Sequence, residues 1–350
     1  MEKLLINPIV KCLILSPTML LTACAIGSEV SKLDDYPVPA AASEVLQGAI
    51  KQGYIYPKEI TESKPQNDKE WQELIQAING EGIELEDLEA WFGVDAEEQR
   101  IGDLITYVLS PSGAKNIPDE RIFLYLHGGA YVFNEGPLGA FEAAIIASTS
   151  NIKVVALDYR KPPQHPFPAA LDDTVSLYKD LLNKYSADKI VIGGNSAGAG
   201  LSMAALQKFR ALGLPMPGAL YAGSPWADLS NTSDTLHTLD GIDRVLNTYD
   251  GWLESSALLY AGDAELTEPY ISPLYGSMDK YPPTYLVSGT RDLLLSDTLR
   301  VHRKLLKEEV PVDLHIFEGM SHVEFTVVPD SPEGQEVYQG LSDFLDENLK

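Results

Sequence analysis

Apolar positions along this chain follow two rhythms, and the change falls near residue 100. From 41 to 100 the spacing is helical. Val45, Leu46, Ala49 and Ile50 share one face, and Gly53 stops that segment. Trp71, Leu74, Ile75 and Ile78 repeat the i, i+3, i+4, i+7 interval, with Asn79-Gly80 as the exit. A third amphipathic segment runs from Leu85 to Phe92. Beyond 100, short β-branched runs take over at 121–126, 153–157, 189–192, 219–222, 284–287 and 313–317. Helical stretches such as 169–184, 199–212 and 294–309 separate them. Strands that alternate with helices call for a mostly parallel central sheet covered by helices on both faces, an α/β fold over residues 101–350. The interval from about 226 to 275 lacks strand character and reads as an insertion above the sheet. The helices of 41–100, which precede the first strand, read as a helical cap over a pocket, to which the insertion contributes.

Composition narrows the class. The chain has 350 residues, 45% of them hydrophobic and 22% charged, enough to bury a large core. A disordered chain, a coiled coil and a disulfide-stapled miniprotein are thereby excluded. The formal charge of −25 repels phosphate backbones, so nucleic acid is not an expected partner. Both cysteines fall in the first 24 residues, so packing alone must hold the remainder together.

The N-terminus carries its own signal. Lys3 and Lys11 precede an apolar stretch from Cys12 to Leu21, interrupted by Ser16-Pro17-Thr18 and ending in Leu21-Thr22-Ala23-Cys24. A basic start, a short apolar run and small residues before a break read as a secretory signal. The run is too short for a comfortable membrane span, which needs about 20 residues. The last four residues resemble a bacterial lipobox. That resemblance implies removal of 1–23, lipidation of Cys24 as a membrane anchor, and a tether over 24–40 that lifts the domain off the bilayer. Ala25 in place of aspartate resembles outer-membrane sorting, so the expected location is the cell envelope, on the periplasmic side of the outer membrane or at the cell surface.

The strongest chemical signal is Gly194-Asn195-Ser196-Ala197-Gly198, placed between the run ending at Ile192 and the helix that follows. A G-x-S-x-G in a strand-to-helix turn is a nucleophile elbow. The serine sits in a strained backbone conformation that pushes its hydroxyl into the cleft, and neighbouring turns leave room for only a hydrogen at 194 and 198. The helix behind it turns free N–H groups and its positive end toward the site.

A serine hydroxyl needs a base. Of six histidines, His127 belongs to a glycine-rich turn and His165 lies between Gln164 and Pro166. His237 is in the insertion, His302 in a helix and His315 in a strand. His322 remains, in the loop after the last strand, where groups of an open parallel sheet converge. The base in turn needs a carboxylate. Asp292 follows the end of the run that closes at Val287, whereas its rival Asp297 falls in the next helix. An oxyanion needs fixed donors, and His127-Gly128-Gly129-Ala130 after the run ending at Leu126 offers inward backbone N–H groups, with that of Ala197 as a third. Zinc-binding spacings and a phosphate loop are both absent from the sequence, and no cofactor or metal is called for.

Together these residues resemble the hormone-sensitive-lipase-like branch of the α/β-hydrolases, bacterial carboxylesterases with an HGG oxyanion motif. Further stretches fit that family. They are Tyr159-Arg160 with His165-Pro166-Phe167-Pro168-Ala169 and Asp172-Asp173, Ser224-Pro225-Trp226-Ala227-Asp228, and Ser272-Pro273-Leu274. The similarity spans about residues 95–345. It implies an α/β-hydrolase fold with an N-terminal helical cap, and Gly128, Gly129 and Ala197 as the oxyanion donors. The chain departs at Asn195, where the family usually has aspartate, at Ala130, its third motif glycine, and at Val323-Glu324 after the base. Those departures bear on pocket shape and substrate preference rather than on the reaction.

The resulting expectation is a serine carboxylesterase with Ser196 as nucleophile, His322 as base and Asp292 as its partner. Its expected substrates are neutral small-molecule esters or lactones of small to medium acyl length. Deacetylation of polysaccharides, and a ligand-binding module that kept the fold without the chemistry, are the alternatives. The sequence says nothing of the oligomeric state.

Overall fold

Alternate residues of each central strand point to opposite faces of a sheet, and here both faces are apolar, as a sheet covered on two sides requires. The computed structural model describes residues 32–113 and 120–349. The leader 1–23 and Cys24 lie outside them, as does the tether up to residue 31. The strands are β1 (Val94–Ile101), β2 (Leu104–Pro111), β3 (Ile122–Leu126), β4 (Lys153–Leu157), β5 (Ile190–Asn195), β6 (Ala219–Gly223), β7 (Thr284–Gly289) and β8 (Val312–Phe317). They form one eight-stranded sheet in the order β1-β2-β4-β3-β5-β6-β7-β8. The two pairings at the β1 end are antiparallel and the other five are parallel.

Leu124, Ile192, Leu220 and Leu286 face one core layer, with the helices Ala169–Leu182, Ser196–Ala211 and Leu295–Lys307. Phe123, Val191, Tyr221 and Val287 face the other, with Phe141–Ser150 and Pro332–Asn348. Register then aligns the strand ends. Leu126 pairs with Gly194, Gly223 with Asn195 and Val287, and Gly289 with Phe317. The loops that follow β3, β5, β7 and β8 therefore emerge along one rim.

Among the described residues, four α-helices precede the sheet: Glu44–Lys51, Lys58–Thr61, Asp68–Asn79 and Leu85–Phe92. Ser43 caps the first by accepting from Leu46 N at 3.2 Å, and Asn67 caps the third through Glu70 N at 3.1 Å. Leu46, Ala49 and Ile50 are buried, but Val45 stands 49% exposed, off the apolar face predicted for it.

The helical reading of 41–100 ends at Phe92, because Val94–Ile101 is a strand. Its sequence, VDAEEQRI, carries four charged residues, as suits an edge strand exposed on both faces, and so shows no apolar alternation. It turns at Gly102 (φ 61°) into β2, which was likewise missing from the predicted strands. Residues 32–40 pack on the domain rather than hanging free: Leu33 is buried, Arg291 Nη2 donates to Pro37 O at 2.6 Å, and Lys32 pairs with Asp240 at 2.7 Å. The insertion holds two short helices, Thr235–Thr238 and Trp252–Ala261. Among the described residues no helix is long and apolar enough to cross a membrane.

Candidate active site

Ser196 occupies the turn from β5 into the helix Ser196–Ala211 with φ 51°, a left-handed conformation that costs a residue with a side chain free energy. The crowding behind it is literal. A Cβ at Gly194 would lie 1.8 Å from Leu126 O, and one at Gly198 would lie 1.9 Å from the same oxygen and 2.6 Å from His127 O. Only glycine fits, and the strain at Ser196 is held by backbone packed on backbone.

Three residues distant in sequence meet there. Ser196 Oγ lies 2.8 Å from His322 Nε2, and His322 Nδ1 lies 3.0 Å from Asp292 Oδ1. All three are buried. Asp292 also accepts from Leu294 N at 2.9 Å through Oδ1 and from Ser288 Oγ at 2.7 Å through Oδ2. Burial alone would raise its pKa. His322, by charge and hydrogen bond, together with the Ser288 and Ser224 hydroxyls, outweighs burial and holds the carboxyl below its ordinary range. With Asp292 ionised, Nδ1 carries the proton it donates, and Nε2 is free to accept from Ser196.

The rival carboxylate is elsewhere. Asp297, in the helix Leu295–Lys307, accepts from Ala227 N at 3.0 Å, Asp228 N at 2.8 Å and the Ser233 hydroxyl. Burial pushes it up to about 7. The other histidines are also accounted for: His165 and His237 are exposed, and His302 and His315 are half-buried outside the cavity. His127 is stacked on Tyr159 with centroids 4.1 Å apart. Burial, with Lys161 nearby, drives its pKa down to about 3, and its Nδ1 donates to Gly128 O at 2.7 Å.

A cavity of about 200 Å³ opens beside this relay, and Gly128, Gly129, Ser196 and His322 line it. A Cβ at Gly128 would meet Asn195 Oδ1 at 2.1 Å, and Gly129 adopts φ 99°, so this turn also accepts only glycine. Ala197 begins the helix just after Ser196, where a backbone N–H has no partner within the helix. The walls come from segments whose residues sequence reasoning did not name individually: Tyr56, Ile83 and Trp91 on one side, Val245, Leu246 and Trp252 on another. Trp91 and Trp252, lying within the predicted cap and insertion, were the available signal. Phe133 and Phe141 complete an apolar lining, with Phe141 edge-on to Phe92 at 5.1 Å.

Behind the nucleophile sits a buried carboxylate that the sequence did not single out. Glu142 Oε2 accepts from Asn195 Nδ2 and Tyr125 OH, each at 2.7 Å, and its Oε1 accepts from Tyr221 OH at 2.7 Å and Tyr338 OH at 3.1 Å. Burial raises its pKa against the pull of these donors. Asn195, the departure from the expected aspartate, is thus an uncharged donor to a carboxylate.

Residues 123–326 match the profile of the alpha/beta hydrolase fold. The chain belongs to that family. This alpha/beta hydrolase is 34% identical to an acetyl-hydrolase of Streptomyces hygroscopicus over 65% of its own length and 76% of that protein's. It is 31% identical to an esterase of Acinetobacter venetianus, over 57% of this chain and 66% of the relative. Among solved structures, esterase E25 superposes with a TM-score of 0.86 at 38% identity, covering 93% of this hydrolase and 99% of E25. An esterase from the bacterial hormone-sensitive lipase family does so at 0.73 and 29% identity, covering 89% and 100%.

Proposed function

We propose that this alpha/beta hydrolase is a serine carboxylesterase acting on neutral esters or lactones of small to medium acyl length. The observation that carries the reading is the relay Ser196–His322–Asp292, with contacts of 2.8 and 3.0 Å at the mouth of an apolar cavity. Ser196 Oγ attacks the ester carbonyl carbon while His322 Nε2 takes the hydroxyl proton, and Asp292 stabilises the imidazolium so formed. Gly128, Gly129 and Ala197 N–H groups hold the oxyanion. The tetrahedral centre collapses, His322 returns the proton to the leaving alcohol, and Ser196 keeps the acyl group. Water, activated by the same imidazole, then releases the acid.

The apolar walls and a formal charge of −25 favour uncharged substrates over anionic ones. A second reading is removal of acetyl groups from carbohydrate; the likeness to an acetyl-hydrolase supports its acetyl part, and a panel of acetylated sugars against aryl esters separates the two. A non-catalytic binder has no use for the assembled relay. Ser196→Ala should lower turnover of a short p-nitrophenyl ester by about 10⁴-fold or more. Retained turnover, or a wild-type protein that a fluorophosphonate probe fails to label at Ser196, overturns the proposal.

The envelope location is part of the same reading. The lipobox-like Leu21-Thr22-Ala23-Cys24 supports lipidation of Cys24 and anchoring of the domain to a membrane surface.

A further inference from the structure

Asp243 lies in the insertion, far in sequence from the relay, and is fully buried. Four backbone N–H groups converge on its carboxylate. Oδ1 accepts from Val245 at 2.8 Å and Leu246 at 3.1 Å, residues that line the cavity wall. Oδ2 accepts from Leu293 at 2.8 Å and, more weakly, from His322 at 3.3 Å. One of these donors follows Asp292 directly, and the other belongs to the base itself. A single side chain thus joins the substrate wall to the loop carrying Asp292 and to His322.

Its charged neighbours are few. Asp292 and His322 are near enough to act on it by charge, and His322 touches it through its backbone N–H. The adjacent Arg244 turns its guanidinium away, with Nη1 on Glu324 Oε1 and Nε on Gly53 O, each at 2.9 Å. Arg291 donates to Pro37 O and lies near Glu324. Burial, then the charge of Asp292, pushes Asp243 up to about 6, while His322 and the N–H donors pull the other way. Asp243 is therefore chiefly ionised at neutral pH.

We propose that Asp243 is a positioning residue for ester hydrolysis, locking the Val245–Leu246 wall to the Asp292 and His322 loops and setting a second negative charge beside the imidazolium that forms when Ser196 attacks. The inference rests on the catalytic reading of Ser196, His322 and Asp292. An imidazolium facing two carboxylates is better stabilised than one facing a single carboxylate, so the charge works in the transition state as well as in the resting geometry.

The test is the pH profile of kcat and kcat/KM for a short p-nitrophenyl ester with wild type, Asp243→Asn, Asp243→Glu and, as reference, Ser196→Ala. Asp243→Asn removes the charge and turns an NH₂ toward two N–H donors. It should lower kcat about tenfold or more. The acid limb should also move to lower pH by about half a unit or more, because protonating the imidazole loses a favourable charge. A merely structural role would lower the plateau and leave the limb in place, and that result overturns the charge assignment.

Should Asp243→Asn fail to fold by circular dichroism, Asp243→Glu decides. It keeps the charge and misplaces the carboxylate, so the limb should stay while kcat falls. A wild-type kcat or a displaced limb in that variant overturns the proposal. Turnover by Ser196→Ala close to that of wild type would overturn the esterase reading itself. A dead Ser196→Ala beside an Asp243→Asn that overlays wild type would sink only the role given to Asp243.

Discussion

His322 stands 126 residues beyond Ser196 in the chain, yet its Nε2 lies 2.8 Å from the serine hydroxyl. The contact exists because β5 and β8 end on the same rim with β6 and β7 between them, and β7 delivers Asp292. Which carboxylate serves the base is then a geometric question, and it separates two residues only five positions apart.

Asp292→Asn should reduce kcat by about 10³- to 10⁴-fold, since an amide no longer fixes the tautomer of His322. Asp297→Asn should leave kcat near wild type. It should also change how stability responds to pH. Burial raises Asp297 in the folded state to about 7, so the folded protein binds a proton the unfolded chain has released. The stabilising effect of that proton is complete below the unfolded carboxyl value of about 4 and is lost as pH rises through about 7. Urea unfolding at pH 5 and pH 8 should therefore show a smaller loss of stability with rising pH for Asp297→Asn than for wild type.

Two glycines make a matched pair of opposite sign. Gly198→Ala drives a Cβ to 1.9 Å from Leu126 O, and should abolish turnover and reduce the yield of folded protein. Gly48 lies in the helix Glu44–Lys51, where an added Cβ meets nothing within 4 Å. Gly48→Ala should stabilise by about 0.5–1 kcal/mol, seen as a higher Tm with unchanged kinetics.

Trp91 closes one wall of the cavity beside Phe141, with ring centroids 6.3 Å apart. Trp91→Ala should shift the optimum of a p-nitrophenyl acyl series toward longer chains and raise KM for the shortest ester. An unchanged optimum would show that this wall does not bound the acyl group.

The ion pair of Arg244 and Glu324 is buried on both sides, at 5% and 0% side-chain exposure, with a 2.9 Å contact. Glu324 Oε2 also accepts from Ser321 N at 2.8 Å. Arg244→Met removes the guanidinium hydrogen-bonded to Glu324 and leaves only the more distant Arg291 to offset its charge, and should cost about 3–5 kcal/mol in urea unfolding. Arg244→Met with Glu324→Leu should recover part of that loss.

Cys24→Ser should move the protein from the detergent phase to the aqueous phase on Triton X-114 partition and remove incorporation of labelled palmitate, with esterase turnover retained. Equal partition of variant and wild type would overturn lipidation at Cys24.

Much of this fold was legible from residue patterns because its central strands are continuous apolar runs: Lys153–Leu157 was read to the residue, and the other parallel strands nearly so. The β1–β2 hairpin was not, since an exposed edge strand such as VDAEEQRI has no core to answer to and its pattern mimics a solvated helix. The residues brought together at the elbow, the base loop and the glycine turn were all nameable, because a tight turn and a strand end restrict which residue types can serve there. Asp243 and Glu142 were invisible for the opposite reason. Each is one acidic residue among 51 in the chain, and only folding gathers the donors that set it apart.

The glycine contacts divide the molecule into parts with different freedom to change. At 194, 198 and 289 the nearest obstacle to a side chain is a carbonyl oxygen 1.8 to 2.0 Å away, so these positions admit no gradual variation. The cavity walls are built from interchangeable side chains such as Tyr56, Ile83, Val245 and Leu253. Mutational drift can thus reshape the hollow one substituent at a time, while the backbone frame that holds Ser196, Asp292 and His322 together stays locked in place.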